Sequence, residues 1–208
     1  KEYMKVYGVL VGKKPLIFTN NDSGYETAIE FKKNGVNPII LDTRSNPSSD
    51  IITEAKNLNI EIKFSYVVVA AKGYKKVKSA DIAKISDDKK ELFNIENIEC
   101  DCICVSGFWT PSIHLASQSG NKSKFNEKID AFVPDKSKQK ENTIGSANGI
   151  FTLEETIKDA FDKGFDVSNK LTEKNIKVSA PTVVEKKSTE HDKFWCVPLP
   201  KDKNYKRF

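Results

Sequence analysis

Arginine and histidine are nearly missing from this chain. Of 34 Lys plus Arg in 208 residues only Arg44 and Arg207 are arginine, and histidine occurs only at 114 and 191. The lysines bring the net charge to +5, but bidentate recognition of phosphates and bases calls for arginine clusters. No basic stretch is interleaved with aromatics, so nucleic acid is not expected as a partner and a solvated lysine surface is. Neither His114 nor His191 has a matched nucleophile and acid partner in the sequence pattern, so the usual nucleophilic and acid–base sets are not expected. With two histidines and no acids clustered at ligand spacing, no metal site is expected. No apolar run approaches the ~20 residues of a membrane span, so no membrane is expected as a partner. The opening Lys1-Glu-Tyr-Met-Lys5 lacks the apolar stretch of a signal peptide, and a start on Lys is expected of a chain cut from a longer one. The cytoplasm is the expected compartment.

Cysteine is sparse, with four residues at 100, 102, 104 and 196. The alternation Glu99-Cys-Asp-Cys-Ile-Cys-Val105 predicts a strand with its three cysteines on one face. Neighbours on one face are too constrained to form a disulfide, and the run lacks the CxxC turn that wraps zinc. Small buried hydrophobes in a reducing compartment are the expected reading.

What is present has an α/β order. Lys1 to Tyr7 reads as a helix closed by Gly8, and Leu16-Ile-Phe-Thr19 as a strand covered on both faces, as in a parallel sheet. Ser23-Gly-Tyr-Glu26 reads as a capping box opening a helix that ends before Gly35, and Pro38 to Asp42 as a second strand. A helix over about Asp50 to Leu58 and a strand over Ile60 to Phe64 follow. From Ser65 the pattern is a meander: Tyr66 to Ala71, Lys75 to Ile85, and a strand from Leu92. Later come Ile144-Gly-Ser-Ala-Asn-Gly149, a helix from Leu153 to Lys163, and a proline-marked stretch read as a tail or connector. The fold class is therefore α/β: a Rossmann-like nucleotide-binding domain with a parallel sheet and an antiparallel β-meander, plus part of a second, flavoprotein-like domain. The expected divisions are 1–107, 108–175 and 176–208.

Strand, polar turn, helix and a second strand ending in an acid is the layout of a dinucleotide-binding unit. The helix start offers free N–H groups to a phosphate, and an acid past the second strand can bond a ribose hydroxyl. Asp42 lies 22 positions after Asn20, close to the roughly twenty expected of such an acid. The candidate contacts are Asn20, Asn21, Asp22, Ser23, Gly24, Asp42, Thr43 and Arg44. The glycine fingerprint is missing, since Thr19-Asn-Asn-Asp-Ser-Gly24 has one glycine and places Asp22 where a pyrophosphate wants no negative charge. A working grip and a scaffold that has lost its ligand both stand at this point. Arg44 is placed to meet a 2′-phosphate, which Asp42 disfavours, so NAD or another adenine nucleotide is expected over NADP.

A second constellation begins at Ser106 and Gly107, where the cysteine strand ends, and continues some forty residues later at Gly145, Ala147, Asn148 and Gly149. Such a pair suits a chain leaving an inserted nucleotide domain and returning to a cofactor, and on pattern alone it suits two generic turns equally well. Phe108 and Trp109 read either as lining of a cofactor cleft or as aromatic core.

The runs Val9-Leu-Val-Gly-Lys-Lys-Pro-Leu-Ile-Phe-Thr-Asn-Asn-Asp-Ser-Gly-Tyr25, Val105-Ser-Gly-Phe-Trp-Thr-Pro-Ser-Ile-His-Leu-Ala-Ser-Gln118, Asp130-Ala-Phe-Val-Pro134 and Gly145-Ser-Ala-Asn-Gly149 resemble, in order and spacing, the alpha subunit of heterotetrameric sarcosine oxidase. The resemblance runs to about Lys163. It implies the middle section of a longer subunit, a pyridine-nucleotide-disulfide-reductase-like region binding NAD, with a folate-binding region for tetrahydrofolate elsewhere in the chain. It further implies partners in the beta, gamma and delta subunits and the rest of the alpha chain. FAD on the beta subunit would oxidise sarcosine, FMN at the alpha/beta interface would carry the electrons, and oxygen would be reduced to peroxide. The resemblance places no catalytic residue on this section. Two other readings remain open: a non-catalytic scaffold organising neighbouring subunits, and a relative acting on another N-methyl amine such as dimethylglycine.

Overall fold

A computed structural model describes residues 1–172, 179–183 and 191–200. Of the stretch read as a tail, 176–178, 184–190 and 201–208 lie outside the described residues. The described residues form two compact units, Lys1–Phe108 together with 191–200, and a second unit from Trp109.

The first unit runs α1 (Glu2–Tyr7), β1 (Pro15–Thr19), α2 (Ser23–Lys33), β2 (Ile39–Asp42), α3 (Asp50–Asn57), β3 (Glu61–Phe64), β4 (Tyr66–Gly73), β5 (Val77–Ile85), β6 (Leu92–Glu99) and β7 (Cys102–Ser106). β3, β2, β1 and β7 form one sheet in that order, every pair parallel, and β4-β5-β6 form an antiparallel meander. Ile17 and Ile40 pack with Tyr25, Ile29, Phe31 and Ile52 of the helices. Their neighbours Leu16 and Leu41 pack instead with Ala80 and Ile82 of the meander. Successive residues of a strand point to opposite faces, so a sheet covered by helices on one face and a meander on the other needs apolar residues at every position. That is why β1 and β2 read as unbroken apolar runs.

Helix ends follow local chemistry. After α2 the Gly35 N–H donates to Lys32 O and the Val36 N–H to Phe31 O, with Gly35 at φ +78, a Schellman ending. Asn59 at φ +54 closes α3 in the same way. The capping box expected at Ser23-Gly-Tyr-Glu26 does not form. Ser23 already lies inside α2 and the N-cap is Asp22, which makes no side-chain cap bond. Asn21 does the capping, its Oδ1 accepting from the Ser23 N–H at 2.9 Å and the Ser23 hydroxyl at 2.6 Å, while Glu26 pairs with Lys1. An Asx turn satisfies the first helical N–H and leaves the box nothing to do.

The three clustered cysteines do not share one face. The chain bends at Asp101, whose carboxylate accepts from the backbone N–H groups of Lys13 and Lys14, each at 2.8 Å. Cys100, before the bend, is buried on the meander side with Leu16 and Leu41, whereas Cys104 packs on the helix side. Only Cys102 and Cys104 share a face, with Sγ atoms 3.7 Å apart. Burial pushes the Cys104 thiol up to about 12, helped by Cys102, so it stays protonated and unreactive at neutral pH. Cys196 is exposed.

The second unit contains α4 (His114–Gln118), the hairpin β8 (Ser123–Asn126) and β9 (Ala131–Pro134), a 3-10 turn over Gly145–Asn148, and α5 (Leu153–Thr172). α5 passes the predicted end at Lys163. Gly164 has open space around it, and a glycine in an exposed helix costs ~1 kcal/mol, too little to stop it. No helix among the described residues is long and apolar enough to cross a membrane.

Candidate functional site

In open α/β sheets, ligands bind outside the carboxyl ends of the strands, where the strand order reverses. In the order β3-β2-β1-β7 that point lies between β1 and β7, at Asn20 and Ser106. The turn after β1 is held by Thr19, whose hydroxyl donates to Asn21 O at 2.8 Å. Asn21 Nδ2 donates to Asn20 Oδ1 at 2.8 Å and to Ser106 O at 3.1 Å, while the Ser23 and Ser106 hydroxyls lie 2.6 Å apart. The ends of β1, α2 and β7 are thus tied together by side chains. Gly24 permits the close approach of α2, since a Cβ there would lie 2.6 Å from Thr19 Cβ.

Beyond β2 stands a buried ionic cluster. Asp42 is 0% exposed. It accepts from Tyr25 Oη at 2.7 Å, from the Arg44 N–H at 2.9 Å, and from Arg44 Nε and Nη2 at 3.0 and 2.8 Å. Arg44 also pairs with Asp22 at 2.9 Å. Burial opposes the Arg44 charge, but its hydrogen bonds and ion pairs to Asp42 and then Asp22 outweigh this and raise its pKa. Burial first, and then the Asp42 charge, pushes the Tyr25 phenol well above the ordinary range, so it remains a donor.

The segment from 191 crosses this end of the sheet. The Asp192 N–H donates to Asn20 O at 3.0 Å, and Asn20 Nδ2 donates back to Asp192 O at 2.8 Å. The Thr43 hydroxyl donates to Asp192 Oδ2 at 3.1 Å, and Lys89 pairs with Asp192 Oδ1. His191 bridges to Asn21 and stacks on Phe108, ring centroids 3.7 Å apart. Phe194 and Val197 pack against Val67, Ala83 and Ile85. A cavity of about 210 Å³ lies here, lined by Phe18, Thr19, Val105, Trp195 and Cys196 among others.

Ten of the fourteen candidate residues meet at this crevice: Asn20, Asn21, Asp22, Ser23, Gly24, Asp42, Thr43, Arg44, Ser106 and Gly107. Gly145, Ala147, Asn148 and Gly149 form the 3-10 turn and its end in the second unit. There the Gly145 N–H donates to Asp159 Oδ2 at 3.1 Å, and Gly149, at φ +83, would bring a Cβ to 2.5 Å from Ile129 Cδ1. These glycines answer to local packing. Trp109 is 62% exposed, which removes the aromatic-core reading for it. Tyr25, Lys89 and Asp192 were missed as site residues. Tyr25 looked like helix core, and the Asn20–Asp192 bond spans 172 positions, beyond any local pattern.

As arranged, these groups do not fit a dinucleotide. Asp42 has no face open to a ribose hydroxyl, because Tyr25 and Arg44 use it. Arg44 is turned onto two carboxylates and is not offered to a 2′-phosphate. The first helical N–H that a phosphate would seek is taken by Asn21, and two carboxylates face one guanidinium, a poor setting for pyrophosphate.

An α/β unit with this parallel sheet and meander is a fold shared with flavoprotein disulfide reductases. The HOCl-induced flavoprotein disulfide reductase of Escherichia coli superposes with a TM-score of 0.55 at 14% identity, covering 77% of this chain and 36% of that one. The bacillithiol disulfide reductase of Staphylococcus aureus gives 0.52 at 16% identity over 78% of this chain and 52% of that one. No protein-family model matches the chain. In sequence, the chain is similar to sarcosine oxidase alpha subunits. That of Corynebacterium sp. (strain P-1) is 28% identical over 153 residues, 73% of this chain, and that of Rhizobium meliloti (strain 1021) is 30% identical over 134 residues, 64% of this chain. The chain spans 16% and 12% of the length of these relatives.

Proposed function

We propose that this chain is the nucleotide-domain section of the alpha subunit of a flavin-dependent, sarcosine oxidase-type oxidoreductase. The observation that carries the reading is the similarity to sarcosine oxidase alpha subunits over 73% of the chain, in a chain that also has a flavoprotein reductase fold. In this reading 1–107 is the nucleotide-type domain, 108–175 the return segment, and 176–208 a connector of which the segment 191–200 docks on the first domain. Sarcosine oxidation, transfer through FAD and FMN, and any use of NAD or tetrahydrofolate belong to the longer subunit and its beta, gamma and delta partners. The role of this section is structural. Its buried Asp42–Arg44–Tyr25 cluster and the ties among Asn20, Asn21, Ser23 and Ser106 hold a rigid wall.

The test is capture of the full-length subunit that carries this chain. Beta, gamma and delta subunits are expected to come down with it, and the assembly to form hydrogen peroxide on sarcosine. Recovery of the subunit by itself, or peroxide from dimethylglycine but not from sarcosine, contradicts the reading.

A further inference from the structure

We propose that the cavity formed by the ends of β1 and β7 and the segment 194–197 is a binding site for one small, uncharged, flat aromatic molecule. The inference goes beyond the structural role given above. It rests on the cavity alone, so its failure and failure of the sarcosine oxidase reading are separate results.

The lining comes from distant parts of the chain. Phe18 and Val105 belong to β1 and β7, and Phe194, Trp195 and Val197 to the segment that crosses them. That segment is fixed in place. The Asp192 N–H donates to Asn20 O and the Asn20 amide donates back to Asp192 O, while Phe194 and Val197 pack against Val67, Ala83 and Ile85. The cavity is therefore formed before a ligand arrives, as small-molecule sites usually are.

The lining also decides the class of ligand. No acidic or basic side chain lines the cavity, so an ion entering it would shed water and meet no counter-charge. The hydroxyl and amide side chains in the lining are already engaged with protein. Thr19 bonds the Asn21 backbone, Asn20 bonds Asp192 and Asn21, Thr43 bonds Asp192, and Ser106 bonds Ser23. What is left to a ligand is apolar surface, with aromatic rings contributed both by β1 and by the crossing segment, and flat rings pack on such rings with a gain beyond the area they bury.

Size narrows the class further. An apolar cavity of about 150 Å³ is enough for benzene. This one, at about 210 Å³, has room for a single ring with a short substituent or for a fused pair. Water gains few hydrogen bonds on such a surface and is displaced at little cost. Val105 and Trp195 are 70% and 62% exposed, so the cavity opens to solvent beside them and a ligand enters without moving any segment of the chain.

The probe is indole, titrated into the full chain and followed by the backbone N–H signals in nuclear magnetic resonance. Saturable shifts are expected at Ser106, Gly107, Trp195 and Cys196. Val105→Trp fills the cavity from an exposed position, and it is expected to keep the parent's melting temperature while weakening indole binding by about tenfold or more. Shifts that do not saturate, shifts that spare these four residues, or equal binding by parent and Val105→Trp overturn the site. The exposed thiol of Cys196 supplies a second readout. Saturating indole is expected to slow its alkylation by iodoacetamide about threefold or more, and an unchanged rate overturns the site. The same alkylation in the full-length subunit separates a small-molecule site from a socket for a side chain of that subunit. Indole protecting Cys196 there as it does in the chain alone supports the proposal, and Cys196 already protected without indole overturns it.

Discussion

Asp42→Ala is expected to destabilise the first unit by about 3–5 kcal/mol, the cost of breaking a buried ion pair by removing one partner. The carboxylate is fully buried and receives Tyr25 Oη, the Arg44 backbone N–H and two guanidinium nitrogens. Its loss leaves a phenol and half of the Arg44 fork without the acceptor they use at a buried site. For a chain of this size the loss corresponds to a fall of about 10 °C or more in melting temperature. Thermal unfolding followed by circular dichroism reads it. A change of under 1 kcal/mol would mean that Asp42 faces solvent, as a ribose-binding acid would.

Gly24→Ala is expected to cost about 1–3 kcal/mol through overpacking. The added Cβ would meet Thr19 Cβ at 2.6 Å, Oγ1 at 2.7 Å and Cγ2 at 2.9 Å. Thr19 is itself pinned by hydrogen bonds in both directions to the Asn21 backbone, so the relief must come from a shift of α2 away from β1. Urea unfolding measures the cost. Gly24→Ala at parental stability would show that α2 has room over β1 that the structure denies it, whereas the same change at Gly107, where a Cβ meets nothing within 4 Å, is expected to cost far less.

Much of the fold was legible because the rules that shape it are local. Both-face burial writes itself as the unbroken apolar runs of β1 and β2, and Gly35 marks the end of α2 through the αL geometry its position requires. The meander was legible from alternation and turns. Where a side chain's role depends on which of two near neighbours it bonds, local rules failed. The Ser23–Glu26 spacing suits a capping box, but Asn21, two positions before Ser23, takes the Ser23 N–H instead. Asp42 stood at the spacing of a ribose-binding acid, yet spacing does not say whether a carboxylate points outward or folds back onto an arginine two residues on. Cys100 left its neighbours' face because Asp101 bends the chain toward Lys13 and Lys14, a contact 87 and 88 positions away.

The site was half visible for the same reason. Ten candidate residues converge because β1, β2 and β7 end side by side, a property of parallel topology that the sequence pattern carries. Asp192 carries no such mark. Its segment has prolines and no hydrophobic period, and only the folded chain brings it to Asn20 and Thr43.

Hydrogen exchange of the backbone N–H of Asp192 in the full chain, without ligand, tests most directly whether the crevice is filled by the chain itself. A docked 191–200 segment predicts that this N–H, donating to Asn20 O, exchanges more slowly than an unstructured peptide by two orders of magnitude or more, a protection of about 3 kcal/mol. Exchange at the rate of free peptide, with β1 and β7 still protected, would contradict the account.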